Sequence, residues 1–513
     1  MLPRKTFAII SHPDAGKTTL TERLLFNSGI INVVGNIKSK KSEKFATSDW
    51  MKIEQERGIS ITSAAMQFEF KDHVINLLDT PGHQDFSEDT YRTLTAVDSA
   101  LMVIDFAKGV EERTIKLLEV CRLRDTPIIT FINKLDRFGK DFIELIDEIE
   151  EVLQIKCVPM NLPIGRGKDF LGLYDIKNQN AIIYKSNETQ IIELKNLKGL
   201  IDDQIYSELE QDIEVVENLC DSFQIDSFLK GGITPLFFGS AIKNIGIQEL
   251  LDGFIKYAPE PLPKNTNISK IDPSDPLFSG FVFKIQANMD PAHRDRIAFL
   301  RICSGNYKPG INIYQTRTKK KLKINNALTF MASDRQSLDE AFAGDIIGIH
   351  NHGTINIGDS FTQGEDLNFI GIPNFAPEMF KRVVLKDPLK SKALKMGLKQ
   401  LCEEGATQML QIYNSNDILL GAVGSLQFDV VLHRLKNEYN VNCILEGSNF
   451  QVARWLRFNS EQMQKQFVSK LDSQIAIDHQ NDMVFLASSR VNLSLTEERW
   501  PEVIFSKTRE INY

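Results

Sequence analysis

Long hydrophobic runs are missing from this sequence: no stretch approaches the ~18 uninterrupted apolar residues that a membrane-crossing helix needs. The first residues lead directly into apolar Phe7-Ala8-Ile9-Ile10, without the successive regions of a signal peptide. No membrane partner is expected. Cysteine is scarce, and Cys121, Cys157, Cys220, Cys303, Cys402 and Cys443 have neither paired nor metal-like spacing. They are expected as free thiols of a cytoplasmic protein. An excess of positive charge is missing too. The formal net charge of −8 argues against a uniformly basic surface, and DNA is not an expected partner. No internal repeat is evident. What the chain has is size and apolar content: 513 residues, 42% of them hydrophobic, enough for roughly three or four domains with their own cores.

The most telling segment is Ser11-His12-Pro13-Asp14-Ala15-Gly16-Lys17-Thr18. It fits a phosphate-binding loop except that its first glycine is replaced by Ser11, which lacks glycine's access to positive φ. Apolar Phe7–Ile10 reads as a buried strand entering the loop, and Thr18–Leu25 as a helix leaving it. Backbone N–H groups at such a helix start face an anion. Lys17 would reach the β- and γ-phosphates, and the Thr18 hydroxyl would ligate Mg²⁺.

Three further segments follow in order, each after an apolar run. Asp79-Thr80-Pro81-Gly82-His83 succeeds Val74–Leu78; an aspartate there can hold Mg²⁺ through water, and Gly82 offers an N–H to a γ-phosphate. Asn133-Lys134-Leu135-Asp136 succeeds Pro127–Ile132. A carboxylate at Asp136 can accept hydrogen bonds from N1–H and the exocyclic amine of guanine. Adenine would leave that carboxylate unpaired. Asn133 can bond the opposite base edge, while the Lys134 stem can lie along the base face. Gly239-Ser240-Ala241 succeeds Leu236–Phe238 and would bring N–H groups to the guanine O6. Four ligand loops at successive strand ends describe a parallel sheet with its site at the carboxyl edge. The conjunction assigns the nucleotide as GTP or GDP and the chain as a GTPase.

Residues 1–262 are expected to form this α/β P-loop domain, with an inserted subdomain at about 157–235 whose segment Leu200–Leu229 is acidic and helix-like. Proline-rich 263–276 reads as a linker. Short glycine-punctuated strands over 277–370 suggest an all-β barrel. Residues 378–447 read strand, helix, strand, strand, helix, strand, a ferredoxin-like α+β order, with Ser425–Tyr439 the clearer helix. The remainder to Tyr513 is read as the rest of that third domain. Basic clusters at Arg317–Lys323 and Lys38–Lys41 are candidate RNA footprints.

At this point the chain resembles the translational GTPases, which the ribosome activates. The residues carrying the likeness are His12, Asp14–Thr19, Glu54-Gln55-Glu56-Arg57-Gly58-Ile59-Ser60-Ile61-Thr62 and Asp79–His83. The resemblance implies that Ser11, His12, Pro13, Asp14, Ala15, Gly16, Lys17, Thr18 and Thr19 contact nucleotide. It implies that Ser60, where the family usually has threonine, supplies a switch hydroxyl to Mg²⁺, with Thr62 as the alternative. His83 stands where Ras-type GTPases carry a water-positioning glutamine, and the resemblance implies that ribosomal RNA swings it into place. The insert is like that of elongation factor G. Gly421-Ala422-Val423-Gly424-Ser425-Leu426-Gln427-Phe428-Asp429-Val430-Val431, Arg434–Val441 and Ser11-His12-Pro13 are similar to the bacterial class-II peptide-chain release factors. The length agrees, with no room for the two further domains of a translocase. This resemblance implies a monomer that binds the ribosome and drives out class-I release factors. Another ribosomal GTPase, a signalling GTPase acting away from ribosomes and a GTP-binding module without turnover remain the alternatives.

Overall fold

The computed structural model describes residues 2–31, 51–185, 188–287, 296–331, 334–415 and 417–510. Seven strands lie in one sheet: β1 (Arg4–Ser11), β2 (Ala64–Phe70), β3 (His73–Asp79), β4 (Ser99–Asp105), β5 (Ile128–Asn133), β6 (Lys156–Pro159) and β7 (Ile233–Phe238), of which β1, β3, β5 and β7 are the apolar runs that precede the four loops. Their spatial order is β2-β3-β1-β4-β5-β7-β6. β2 runs antiparallel to β3, and the remaining pairings are parallel. Helices cover both faces, so β4, β5 and β7 are buried throughout, whereas β2 alternates at Gln67 and Glu69. In β1, Ala8 and Ile10 join one core cluster with Leu117 and Leu145, while Phe7 and Ile9 join the opposite cluster with Leu24 and Phe254. The chain leaves β1 towards β3 and returns on its other side as β4. The crevice this reversal opens lies at the carboxyl end of β1, where ligands bind in such sheets.

β6 and β7 belong to the central sheet although they fall within or beside the expected insert. The inserted part begins at Asn161 with a four-stranded antiparallel sheet ending at Glu193, followed by the helix Asp203–Leu219. The acidic helix was expected; the sheet was not. From Ser279 to Thr362 antiparallel strands curl around Val282, Leu300, Ile313, Ile347 and Phe361. This barrel continues the central sheet through the pair Met331–Met66.

The C-terminal region contains the expected strand–helix–strand–strand–helix–strand from Met379 to Gly447, including the helix Ser425–Tyr439. The same order then recurs from Val452 to Ser506. Each unit places its strands in the order fourth, first, third, second, and the two join edge to edge through Gln408–Ile412 and Ile475–Asp478. The helix-free faces pack against each other around Phe380, Leu410 and Trp455. Neither the repeat nor this shared core was read from the sequence.

All six cysteines are free. Burial pushes the thiols of Cys121 and Cys303 up to about 12. No described helix is long and apolar enough to cross a membrane. Of the two basic clusters, Lys38–Lys41 lies outside the described residues. In the other, Arg317 pairs with Asp359 and Lys319 with Asp366, so part of its charge is neutralised within the hairpin region.

Candidate functional site

The phosphate loop manages without its first glycine because the backbone does not turn there. Ser11 is still extended in β1, paired with Val103, and its hydroxyl donates to the His12 carbonyl at 2.9 Å. The left-handed residues come later, at Asp14 (φ 65°) and Gly16 (φ 93°). Aspartate tolerates that region better than most residues. At Gly16 a Cβ would overlap the Asn133 amide. Helix α1 (Lys17–Asn27) starts immediately afterwards, with no side chain capping it. The N–H groups of its first turn are therefore available to an anion.

Lys17 and Asp79 meet at the centre. The Lys17 ammonium donates to Asp79 Oδ1 at 2.5 Å, and both groups are buried. Asp79 Oδ2 is buried without a hydrogen-bond partner. An orphaned carboxylate oxygen is a donor suited to a hard, oxygen-seeking cation, as is the hydroxyl of Thr18, the residue after Lys17. Thr80 and Pro81 brace the turn that follows: the Thr80 hydroxyl donates to Ile9 O at 2.7 Å, and Thr90 donates to Pro81 O at 3.2 Å. Gly82 lies against Pro13 of the phosphate loop.

The His12 ring is engaged within the protein. Its Nδ1 lies 2.6 Å from Pro13 O and 2.7 Å from Glu111 Oε2. Burial lowers its pKa, and the nearby Glu111 carboxylate only partly opposes that. A neutral imidazole donating from Nδ1 satisfies both contacts, which leaves only its backbone for phosphate.

Asn133 holds two loops together. Its amide donates to Ala15 O at 2.9 Å, and its Oδ1 accepts from the N–H groups of Ala241 (2.9 Å) and Lys134 (2.8 Å). The sequence assigned this residue to the base edge; the structure adds a bracket between the phosphate loop and the Ser240 loop. Lys134 reaches over the phosphate loop to Asp14 O and to Asp105 Oδ2. Burial alone would raise Asp105, but hydrogen bonds from Lys134 and the Ala107 N–H outweigh it and keep its carboxyl low. Asp136 is half-buried, and the Ser240 hydroxyl donates to its Oδ1 at 2.5 Å. That contact fixes one carboxylate oxygen in position at the edge of the site.

The segment Met51–Thr62 is organised by Glu54, to which the sequence assigned no role of its own. It lies in helix α2 (Lys52–Arg57), and its buried carboxylate accepts from Met51, Ile61 and Thr62 N–H groups at 2.9–3.1 Å. The Thr62 hydroxyl lies 3.8 Å from the Met51 sulfur. Ser60 is half-buried two residues earlier.

His83 caps a short turn, Gln84–Phe86, by accepting the Asp85 N–H on Nδ1 at 3.2 Å. That role puts the ring proton on Nε2. Asp85, also missed in the sequence, reaches the C-terminal domain and bonds the Leu426 N–H at 2.8 Å. A carboxylate two residues after His83 carries no local sign of so distant a partner.

Comparison with known proteins divides the chain in three. A family model for the elongation factor Tu GTP binding domain matches residues 3–260. One for elongation factor G domain 2 matches residues 277–364, and one for the class II release factor RF3, C-terminal domain, matches residues 369–497. Among solved structures, a Thermus thermophilus protein has a TM-score of 0.72 at 23% identity, over 88% of this chain and 68% of that one. At that identity the likeness concerns the fold.

Proposed function

The chain belongs to the translational GTPases and carries a C-terminal domain of the class II release-factor type, and from that premise we propose that it acts in translation termination. It is a GTPase that binds GTP and GDP, and its family works on the ribosome. The reading is that the GTP-bound protein engages a terminating ribosome and drives off the class-I release factor after peptide release. Hydrolysis to GDP and phosphate, stimulated by the ribosome, then lets it leave. The observation that carries this is the covalent union of a guanine-nucleotide domain with a release-factor-type C-terminal domain. In energetic terms, GTP favours one arrangement of the domains, and that arrangement favours one state of the ribosome. The protein acts as a cytoplasmic monomer in this reading.

The residues divide the work as follows. The Ser11–Thr19 loop and the α1 N-terminus hold the phosphates through backbone N–H groups. Lys17 leaves Asp79 Oδ1 for the β- and γ-phosphate oxygens, which frees the Asp79 carboxylate. Thr18, Asp79 and Ser60, with Thr62 as the alternative to Ser60, would hold Mg²⁺. Bound there, it would neutralise charge on the phosphate oxygens. Asp136 accepts the two guanine hydrogens, with Asn133, Lys134, Ser240 and Ala241 shaping the pocket. Gly82 reports the γ-phosphate, and His83 orients the attacking water.

The test is release of a labelled class-I factor from post-termination ribosomes on addition of the protein and GTP. Acceleration by GTP supports the proposal; no acceleration, alongside tRNA movement in a translocation assay, overturns it. His83→Ala should bind GTP normally but lose stimulated turnover by roughly 10²-fold or more, the usual scale for a positioned proton-handling side chain.

A further inference from the structure

The helix Ser425–Tyr439 has no side-chain cap from its own N-cap residue, Gly424. Gln427 bonds back to the N–H groups of Val423 and Gly424 at 2.7 and 3.2 Å. The Leu426 N–H, in the first turn, is taken instead by the Asp85 carboxylate of the nucleotide domain. A carboxylate at a helix N-terminus meets both an unsatisfied donor and the positive end of the helix dipole. The fit is close: a Cβ on Gly424 would overlap Asp85 Cγ and both carboxylate oxygens. Asp85 is only 7% exposed, so little water weakens the contact.

Asp85 has a second link. Its own N–H donates to His83 Nδ1, and its Oδ1 lies 3.4 Å from the same nitrogen. Phe86, next in the chain, packs with Met51, Ile53, Ile61 and Val430 of the same C-terminal helix. Arg57 of α2 pairs with Asp429 at 3.2 Å. One helix therefore rests on both segments that respond to the γ-phosphate.

We propose that Asp85 is a positioning residue that ties the orientation of His83 to the docked position of the C-terminal domain. With the helix Ser425–Tyr439 seated on the Asp85 carboxylate, the turn Gln84–Phe86 is fixed and His83 stays as its cap. When the helix is displaced, the turn is released and the imidazole becomes free to reach the attacking water. The docked domain thus holds back hydrolysis away from the ribosome, and its displacement on the ribosome is part of the trigger. The inference rests on His83 acting on that water.

The test is GTP turnover by the full chain with and without ribosomes. Asp85→Asn keeps the shape and an acceptor but removes the charge; Gly424→Ala pushes the helix away. Each should raise ribosome-free kcat by roughly five- to tenfold, the bias expected from weakening one charge-assisted hydrogen bond. The KM for GTP should stay unchanged, and the stimulation by ribosomes should shrink. Adding His83→Ala to either variant should abolish the gain.

A purely structural cap predicts a lower melting temperature with ribosome-free kcat unchanged, and that result overturns the inference. So does a fall in kcat, or a gain that survives His83→Ala. Should Gly424→Ala fail to fold, Asp85→Asn decides. Failure of the underlying reading looks different: His83→Ala alone would then leave ribosome-stimulated turnover intact.

Discussion

Gly16 is where two loops of the nucleotide site touch. Its φ of 93° suits glycine, and a Cβ would overlap the Asn133 amide that bonds Ala15 O. Gly16→Ala therefore combines backbone strain with disruption of the bracket between the phosphate loop and the Ser240 loop. Backbone strain of ~1–3 kcal/mol and a lost hydrogen bond of ~1 kcal/mol together predict a loss of GDP affinity on the order of 100-fold. Ser11→Gly, at the position where the usual motif has glycine, should change affinity by less than about threefold, because Ser11 is extended and needs no glycine. A fluorescent GDP analogue measures both. If Ser11→Gly proved the larger effect, the assignment of the turn to Asp14 and Gly16 would be wrong. At this scale the sequence was readable where the pattern is local, as in the apolar Phe7–Ile10 that forms the buried strand entering the loop. It was silent where a side chain works at a distance. Asn133 was identified as a site residue, but nothing in Asn-Lys-Leu-Asp announces that its amide reaches the phosphate loop.

Among the elements, the insert is anchored by a guanidinium between two carboxylates. Arg166 lies 2.8 Å from Asp141, the N-cap of the helix Phe142–Leu153, and 3.1 Å from Asp212 on the insert helix Asp203–Leu219. The two acids fare differently. Burial pushes Asp212 up to about 6 despite Arg166, whereas hydrogen bonds from Arg166 and the Ile143 N–H overcome burial at Asp141 and hold it low. Because the folded protein holds the Asp212 proton more tightly than the unfolded chain, its contribution favours folding at low pH. That contribution declines as pH rises through the window from about 4 to about 6. Asp212→Asn removes this slope while keeping a hydrogen-bond acceptor for Arg166. The difference in melting temperature between variant and parent should therefore grow in the variant's favour from pH 4 to 6 and level off above. A flat difference would refute it. Long periodic or apolar elements such as Ser425–Tyr439 and β5 were plain in the sequence. The four short strands from Asn161 to Glu193 were not: they run for only four to six residues, and the first two are buried along nearly their whole length, so they leave no alternation to detect. The second strand–helix–strand–strand–helix–strand unit escaped because a repeated fold needs only repeated burial, which different residues can supply.

In the whole molecule, the order of domains was legible, because each has its own hydrophobic pattern, but the contacts between them were not. Between the nucleotide domain and the barrel, a set of those contacts is polar and buried. Asp98 of the nucleotide domain accepts from Arg301 of the barrel at 2.5 Å, lies 3.4 Å from Lys264, and bonds the Leu262 N–H at 3.0 Å. Asp345 similarly receives Arg4, Asn76 and Gln67 from the nucleotide domain. Arg301 is 1% exposed and cannot shed its charge. Removing its partner leaves an unpaired buried guanidinium, which costs about 3–5 kcal/mol. That penalty falls on the interface, since each flanking core is intact. The parent protein should unfold its nucleotide domain and barrel in one calorimetric transition, because the sheet and the ionic contacts both cross the boundary. Asp98→Ala should split that transition in two. Excess GDP should then raise only the nucleotide-domain component, by about 2.7 kcal/mol at a hundredfold excess over its dissociation constant, and leave the barrel component in place. In the parent the same ligand should move both together. A variant that still melted in one step, with GDP shifting all of it, would mean that the sheet continuity at Met331–Met66 couples the domains without Asp98.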